Sequence, residues 1–298
     1  MPITENLTKI LKNSKSGPFL FVGSGFSRRY LNLEDWKGLL EKFSLMQKPF
    51  AYYLASANGL MPLAATKLAQ DFNHYWWTSD TYKESVAKNS ENVVNETSAL
   101  RIEISKHLRD LGQTKRPKDD VYKEEIKNLS SLNVDGIITT NWDLFLESLF
   151  PDYKVYIGQN ELLFSHTQEI GEIYKIHGCS SKPESLVLTS DDYSDFQKRN
   201  PYLAAKLITI FVEHPVVFIG YSLTDPNITE LLSAISLCVG KDQIDKLRQN
   251  LIFVQRKTST AEEDGISETY ISIDSVQIPI VLVKTNDYSN IYRALASI

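Results

Sequence analysis

Short apolar runs, each bounded by turn-forming residues, recur along the chain. They lie at residues 18–23, 136–140, 215–220, 251–254 and 278–283. Several of these runs are apolar at nearly every position, which is the pattern of strands covered by helices on both faces of a parallel sheet. We therefore predict buried strands at these places. Pro279 has no backbone N–H, so we expect the last of these strands to lie at an edge of the sheet.

Segments with helical spacing of apolar residues lie between these runs, as at 36–43 and 228–235. Helices in these places supply the crossovers that parallel strands need. The alternation predicts an α/β fold with a Rossmann-like, doubly wound and mostly parallel sheet. Residues 51–118 show no convincing strand and have a helix-favouring background, so we expect an inserted helical subdomain there. The Rossmann-like domain then comprises 1–50 and 119–298.

The composition excludes several classes of protein. Thirty-two basic residues against 37 acidic ones give a net charge of −5, so no global positive field recruits nucleic acid or an anionic membrane. Cys179 and Cys238 are too few for a disulfide framework or a four-ligand zinc site. A secretion signal and an apolar run of about 18 residues are both missing, so we expect a cytoplasmic protein without a membrane span.

A glycine-containing turn follows the first predicted strand. It consists of Gly23, Ser24, Gly25, Phe26 and Ser27. Glycine lets the backbone turn tightly and brings its N–H groups close to a diphosphate, which the next helix N-terminus also attracts. The alternative is a tight turn without a ligand. Arg28 and Arg29 come next, and they either contact the phosphates of a cofactor or lie solvated at the surface.

Polar residues follow the second predicted strand. Thr140, Asn141 and Asp143 lie where the strand ends, at the edge of the sheet where α/β proteins bind ligands. The amide of Asn141 can bind ribose hydroxyls or a water without adding a charge. The alternative is structural, because Asn141 or Asp143 can also cap the helix that follows.

His177 is the histidine whose position favours chemistry. It ends a further predicted strand at 173–176 and precedes Gly178, and an imidazole at such a strand end can act as a base near neutral pH. The other histidines lie in predicted helices or surface loops, where we expect structural roles. They are His74, His107, His166 and His214.

A fourth polar element follows the strand at 215–220. It contains Gly220, Tyr221, Ser222, Asp225 and Asn227. Ser222 and Asp225 are suited to bind the hydroxyls of an adenosine ribose. Asp225 is equally suited to cap the next helix, which has Pro226 in its first turn, and one residue can do both.

These four elements, in this order, resemble the SIR2-like superfamily, in particular its bacterial branch that hydrolyses NAD in antiphage defence. The family's Gly-Ala-Gly-x-Ser turn corresponds to residues 23–27, with serine in place of alanine. Its Thr-Thr-Asn-Tyr-Asp element corresponds to 139–143, with tryptophan in place of tyrosine. Lys-x-His-Gly matches 175–178, and Gly-[Phe/Tyr]-Ser-x-x-Asp-Pro-Asn matches 220–227. The resemblance covers most of the chain.

The resemblance implies an NAD+ glycohydrolase that cleaves the nicotinamide–ribose bond of its substrate NAD and so depletes NAD in abortive infection. Asn141 and His177 become the catalytic residues: the amide orients the ribose and a water, and the imidazole accepts a proton. The cofactor-binding residues are Gly23, Ser24, Gly25, Phe26, Ser27, Thr140, Asp143, Gly220, Tyr221, Ser222, Asp225 and Asn227. Deacetylating sirtuins hold a structural zinc with two Cys-x-x-Cys pairs, which this chain lacks, so we expect no zinc module and no metal.

Two other functions fit parts of the pattern. A module that senses NAD or ADP-ribose without turnover needs the glycine turn and Asp225, but it does not need an amide and an imidazole at neighbouring strand ends. An NAD-dependent deacylase or ADP-ribosyltransferase needs an open acceptor groove, and the missing zinc pairs argue against it. By resemblance, we expect control by homo-oligomerisation or by a separately encoded sensor or regulatory subunit.

Overall fold

The apolar runs of the sequence form one sheet. The computed structural model describes residues 3–45, 48–114, 122–163, 171–199, 201–259, 261–273 and 276–298. Within these ranges the strands are β1 (Phe19–Val22), β2 (Gly136–Thr139), β3 (Lys154–Ile157), β4 (Glu172–Lys175), β5 (Val216–Ile219), β6 (Leu251–Gln255), β7 (Gly265–Ile273) and β8 (Val276–Lys284).

Helices fill the connections between these strands. In the described ranges they are α1 (Ile3–Lys12), α2 (Ser24–Leu31), α3 (Trp36–Lys42), α4 (Phe50–Ser56), α5 (Met61–Thr78), α6 (Lys83–Asn89), α7 (Ser98–Thr114), α8 (Lys123–Ser130), α9 (Phe145–Leu149), α10 (Gly158–Leu163), α11 (Ser190–Arg199), α12 (Pro201–Glu213), α13 (Pro226–Val239) and α14 (Ser289–Leu295).

The strand order is β3-β4-β2-β1-β5-β6-β8-β7. All neighbouring strands are parallel except β7 and β8, which are antiparallel. After β1 the chain builds one side of the sheet and then returns to add β5 on the other side of β1. Ligands bind at such a reversal of strand order, beyond the carboxyl ends of the strands. The predicted α/β fold with a mostly parallel sheet is confirmed.

Both faces of the sheet are covered, which explains why its strands are apolar throughout. In β1, Leu20 and Val22 belong to a core that includes residues of α1, α2, α9 and α14. Phe19 and Phe21 belong to a second core on the opposite face, with residues of α12 and α13. Successive side chains of a strand point to opposite faces, so one short run supplies both cores.

Residues 51–114 are all described, and they contain helices and no strand. Helices α4, α5 and α7, together with α3, surround a third core that includes Tyr53, Leu68, Phe72 and Trp76. Leu186 and Leu188, which come long after this segment in the sequence, belong to the same core. The division into domains at 51 and 118 stays a prediction.

The expectation that Pro279 marks an edge strand is wrong for β8 as a whole. β7 lies outside β8 and forms the edge of the sheet. β6 pairs with β8 only from Val281 onward, so one side of Pro279 has no ladder partner, and its missing N–H is tolerated locally.

Two kinds of feature are missing from the described residues. No helix among them is long and apolar enough to cross a membrane. No cluster of three or more His, Cys, Asp or Glu side chains in the same ranges is arranged to hold a metal ion.

Candidate active site

A cavity of about 220 Å³ lies at the carboxyl ends of β1, β2, β4 and β5. Nine of the predicted site residues line it: Ser24, Ser27, Thr140, Asn141, Asp143, His177, Tyr221, Asp225 and Asn227. The two residues predicted to be catalytic therefore face one space, although 35 intervening residues separate them in the chain.

The glycine turn after β1 packs directly on the turn after β5. Gly25 N donates a hydrogen bond to Gly220 O over 3.0 Å. A Cβ on Gly23 or Gly25 would come within 2.8 Å of Gly220 O, and Gly220 itself has a φ of +82°. Glycine is required here because two backbones touch, in addition to the phosphate approach that the sequence suggested.

Ser27, Asn141 and Asp143 form a buried hydrogen-bond chain. The Nδ2 of Asn141 donates to Ser27 Oγ at 2.9 Å and to Gly23 O at 3.0 Å. Ser27 Oγ in turn donates to Asp143 Oδ2 at 2.7 Å. Asp143 Oδ1 accepts the N–H of Phe145 at 3.0 Å, which fixes the carboxylate at the start of α9. These hydrogen bonds fix the orientation of the Asn141 side chain, because turning it would leave a buried donor without a partner and cost free energy.

The carbonyl oxygen of Asn141 remains for a ligand. Both amide protons are used by Gly23 and Ser27, and no described residue donates to Oδ1. An amide oxygen accepts hydrogen bonds and carries a partial negative charge. Asn141 therefore presents an acceptor to the cavity and does not also donate to a ligand.

A buried ion pair holds the loop that carries Asn141 and Asp143. Lys175, at the end of β4, is 1% exposed, and its Nζ donates to Glu147 Oε1 at 2.7 Å and to the backbone carbonyl of Asp143. Burial alone would lower the pKa of Lys175, but the Glu147 carboxylate raises it above its ordinary value. The lysine is therefore charged at neutral pH and ties β4 to the β2–α9 loop.

His177 lies two residues beyond the end of β4 and is 4% exposed. Its backbone carbonyl accepts hydrogen bonds from Trp142 Nε1 and Val187 N, each at 2.9 Å. The rings of Phe196 and Tyr193 pack edge-on against the imidazole at 4.9 and 5.7 Å. Burial lowers the pKa of His177 to about 4, so the ring is neutral at pH 7.

Tyr221 and Asp225, which follow β5, form another side of the cavity. The hydroxyls of Tyr221 and Thr140 lie 2.7 Å apart, which joins the ends of β5 and β2. Asp225 Oδ1 accepts the N–H of Asn227 at 2.9 Å and so caps α13. Because Asp225 also lines the cavity, it is placed for both roles that its sequence position suggested.

The cavity wall carries carboxylates but no lysine or arginine among the described residues. The carboxylates belong to Glu34, Asp35, Asp143 and Asp225. Such a wall stabilises a positively charged group within the cavity.

Several of the cavity residues lie in a stretch of the chain that is similar to a known protein family. Residues 135–272 match the family model described as the SIR2-like domain. This stretch, a little under half of the chain, is similar to a SIR2-like domain. The match runs from β2 into β7 and includes Asn141, His177 and Asp225, whereas the glycine turn after β1 precedes it.

Curated relatives of this chain carry enzyme and defence names. NAD(+) hydrolase ThsA of Cytobacillus dafuensis is 29% identical over 123 residues, which are 40% of this chain and 25% of that protein. Defense-associated sirtuin 2 of Bacillus subtilis is 28% identical over 196 residues, 62% of this chain and 18% of that protein. NAD(+) hydrolase ThsA of Bacillus cereus is 27% identical over 188 residues, 59% of this chain and 38% of that protein. The chain thus spans well under half the length of these relatives.

Some residues predicted to bind the cofactor do not line the cavity. They are Gly23, Gly25, Phe26, Gly220 and Ser222. The three glycines act through backbone packing, and the side chain of Phe26 lies in the core, 1% exposed. Ser222 is exposed, and its Oγ lies 2.8 Å from Thr224 Oγ1.

Other residues of the cavity wall were missed. The start of α3 contributes Glu34, Asp35 and Trp36, and α11 contributes Tyr193. The rings of Trp36 and Tyr193 lie 5.7 Å apart. The paired acidic residues before Trp36 were the available signal, but only the fold shows that this segment reaches the carboxyl ends of the strands.

Arg29 has neither of the two roles considered from the sequence. Its guanidinium forms a buried ion pair with Glu125, with Nη2 at 2.6 Å from Oε1, and stacks on Tyr122 and Tyr288. Arg28 is exposed.

Apart from His177, none of the histidines among the described residues lines the cavity. His74 lies in α5, His107 in α7, and His214 directly after α12. His166 lies outside the described residues.

Proposed function

We propose that the protein hydrolyses NAD+ to nicotinamide and ADP-ribose. The observation that carries this proposal is that the amide of Asn141 and the imidazole of His177 line one cavity at the reversal of strand order. The relatives named NAD(+) hydrolase support it. The reaction consumes one water, which gives its oxygen to the ribose C1′ and releases a proton.

The acidic wall of the cavity suits this chemistry. Nicotinamide is already a cationic leaving group in NAD+, so its departure needs no protonation, and positive charge develops on the ribose instead. Carboxylates and an amide oxygen near this charge stabilise the transition state more than the bound substrate, which is the condition for acceleration. Asp143, Asp225 and Asn141 are the groups in place to do this.

Asn141 would hold the ribose or the attacking water through its free carbonyl oxygen. An acceptor fixed by two hydrogen bonds on its nitrogen cannot rotate to offer a donor instead. Positioning of this kind lowers the entropic part of the barrier.

His177 would accept the proton that the water or a ribose hydroxyl loses. Its ring is neutral at pH 7, because burial lowers its pKa to about 4. The neutral form is the one that can accept a proton, so this role needs no change of protonation before the reaction.

The dinucleotide phosphates would bind at the start of α2. Ser24 begins this helix and lines the cavity, and the first N–H groups of a helix lack internal partners and attract anions. Gly23 and Gly25 hold the turn in the shape that exposes these groups.

The setting of this activity is part of the same proposal. NAD serves as substrate without a metal, and the protein acts in the cytoplasm of a bacterium as a defence that depletes NAD. Control comes from self-assembly, from a separate sensor subunit, or from both. The helical subdomain at 51–118 takes the place of the zinc module of deacetylating sirtuins.

The deciding experiment incubates the purified protein with NAD+ and measures free nicotinamide and ADP-ribose. Equal amounts of both products support hydrolysis. Formation of acylated ADP-ribose from an acyl-peptide, or of a modified protein, would indicate transfer instead. Tight NAD+ binding without either product would indicate a sensor.

A further inference from the structure

One segment of the chain holds both the backbone and the ring of His177. Val187 N donates to His177 O at 2.9 Å, and a few residues later α11 presents Tyr193 and Phe196 to the imidazole. The ring centroids of Phe196 and His177 lie 4.9 Å apart. The position of α11 therefore decides how closely the imidazole is enclosed.

Asp192 fixes this segment at its centre. Its Oδ2 accepts the backbone N–H groups of Leu188 at 2.9 Å and Thr189 at 2.7 Å. The hydroxyl of Thr189 also donates to Oδ2, at 2.8 Å. One carboxylate thus ties the 188–189 loop to the first turn of α11.

Arg101, on α7, forms an ion pair with Asp192. It is 3% exposed, and its Nη2 lies 2.8 Å from Asp192 Oδ1 and 2.6 Å from Oδ2. Its Nη1 donates to the backbone carbonyl of Leu186, and its Nε donates to Thr97 Oγ1 at 2.9 Å. Every guanidinium nitrogen is therefore bonded, so the planar group can occupy only this orientation.

Two of the three hydrogen-bond partners of Arg101, Leu186 and Asp192, lie in the segment that contacts His177. Leu186 and Asp192 flank Val187, the residue that holds the carbonyl of His177. A buried guanidinium is stable only while its acceptors stay in place, so the arginine and the 186–192 segment fix each other.

We propose that Arg101 is a positioning residue for His177: through Asp192 and Leu186, helix α7 keeps α11 closed over the imidazole. The effect on turnover rests on the proposed NAD+ hydrolysis, whereas the effect on the enclosure of His177 does not. Helix α7 then affects the reaction through the position of α11, although Arg101 itself does not line the cavity.

The test compares Arg101→Ala, Arg101→Lys and Asp192→Asn with a matched control on the same helix. Glu103 of α7 is also buried, and its Oε1 accepts hydrogen bonds from Trp76 Nε1 at 2.8 Å and from Ser85 Oγ. Glu103→Ala therefore weakens the same helical packing without touching α11. Circular dichroism confirms that each variant is folded, and Asp192→Asn stands in if Arg101→Ala is not.

The first readout is the rate at which diethyl pyrocarbonate modifies His177 at neutral pH, relative to the exposed His74 in the same sample. Losing the charge-assisted bonds of Arg101 should raise this ratio about tenfold in Arg101→Ala and Asp192→Asn. Arg101→Lys should give an intermediate ratio, because one ammonium cannot replace three guanidinium nitrogens that bond Asp192, Leu186 and Thr97. Glu103→Ala should leave the ratio at the wild-type value.

The second readout is nicotinamide release as a function of pH. Opening α11 should lower kcat about tenfold or more at unchanged KM and move the acid limb toward the ordinary pKa of histidine. An unchanged modification ratio in Arg101→Ala, or an equal increase in Glu103→Ala, overturns the proposal. If the wild type releases no nicotinamide, NAD+ hydrolysis fails as the function, and the modification ratio still decides the role of Arg101.

Discussion

The side-chain nitrogen of Asn141 lies 2.9 Å from the hydroxyl oxygen of Ser27, and that hydroxyl donates onward to Asp143. The serine accepts one hydrogen bond and donates the other, so it links two side chains of the loop after β2, the Asp143 carboxylate and the Asn141 amide. The result is an amide whose oxygen alone is available to a ligand. The proposed chemistry depends on this orientation.

Replacing Ser27 with alanine should release the orientation of Asn141. Asn141 and Asp143 would each lose a buried partner, at a cost of about 1–3 kcal/mol in the free energy of unfolding. We expect kcat for nicotinamide release to fall about tenfold to a hundredfold, with a smaller change in KM. Steady-state kinetics and urea unfolding measure the two effects.

Ser180→Ala is the matched control for this variant. The hydroxyl of Ser180 is also fully buried, but it has no hydrogen-bond partner among the described residues. Its removal should leave both kcat and stability unchanged. Equal losses in the two variants would contradict a specific role for Ser27.

The pH dependence of the reaction should reflect the burial of His177. Because burial lowers the pKa of His177 to about 4, the ring stays neutral well below the ordinary pKa of histidine. We expect kcat/KM to be flat between about pH 5.5 and 8 and to fall only as pH approaches 4, where the base becomes protonated. A fall of kcat/KM to half its value near pH 6.5 would contradict this prediction, because it would indicate a solvated histidine with an ordinary pKa.

Replacing Lys175 with methionine should destabilise the fold and release the loop of Asn141. The change leaves the partly buried Glu147 without its cation, which costs up to about 3–5 kcal/mol. Adding Glu147→Gln should recover part of this stability, while nicotinamide release stays low because the Asp143 carbonyl remains unheld. Lys88→Met breaks an exposed pair with Glu84 and should leave the free energy of unfolding nearly unchanged.

Gly220→Ala should separate the two glycine turns. Gly220 has a φ of +82°, and an added Cβ would lie 2.8 Å from Gly23 O and closer still to Phe26 N. Gly240 has a φ of +76° but nothing within 4 Å of the same position. Both alanine variants bear about 1–3 kcal/mol of backbone strain, and Gly220→Ala should lose about 1–3 kcal/mol more from the contact. Equal midpoints in urea unfolding would contradict the packing account.

The sequence revealed the buried part of the fold because burial leaves a simple pattern. Strands β1, β2, β5, β6 and β8 are apolar on both faces and were predicted. The two edge strands were missed: β3 is half exposed, and β7 carries polar residues such as Ser267 and Glu268. The placement of Pro279 failed because a strand can lose its neighbour over part of its length.

The site was predictable where a residue directly follows a strand. Asn141 and His177 were found in this way, because the carboxyl ends of parallel strands meet at one edge. Trp36 and Tyr193 were missed because helices from distant parts of the chain bring them to the cavity. The core position of Phe26 was also invisible, since a one-residue step along α2 turns a side chain from the ligand to the core.

The most direct test of the account measures nicotinamide release from NAD+ by the wild type, Asn141→Ala and His177→Ala, with circular dichroism to show that all three are folded. We expect release by the wild type and a loss of at least about a hundredfold in kcat for each variant. Wild-type rates in either folded variant would contradict it.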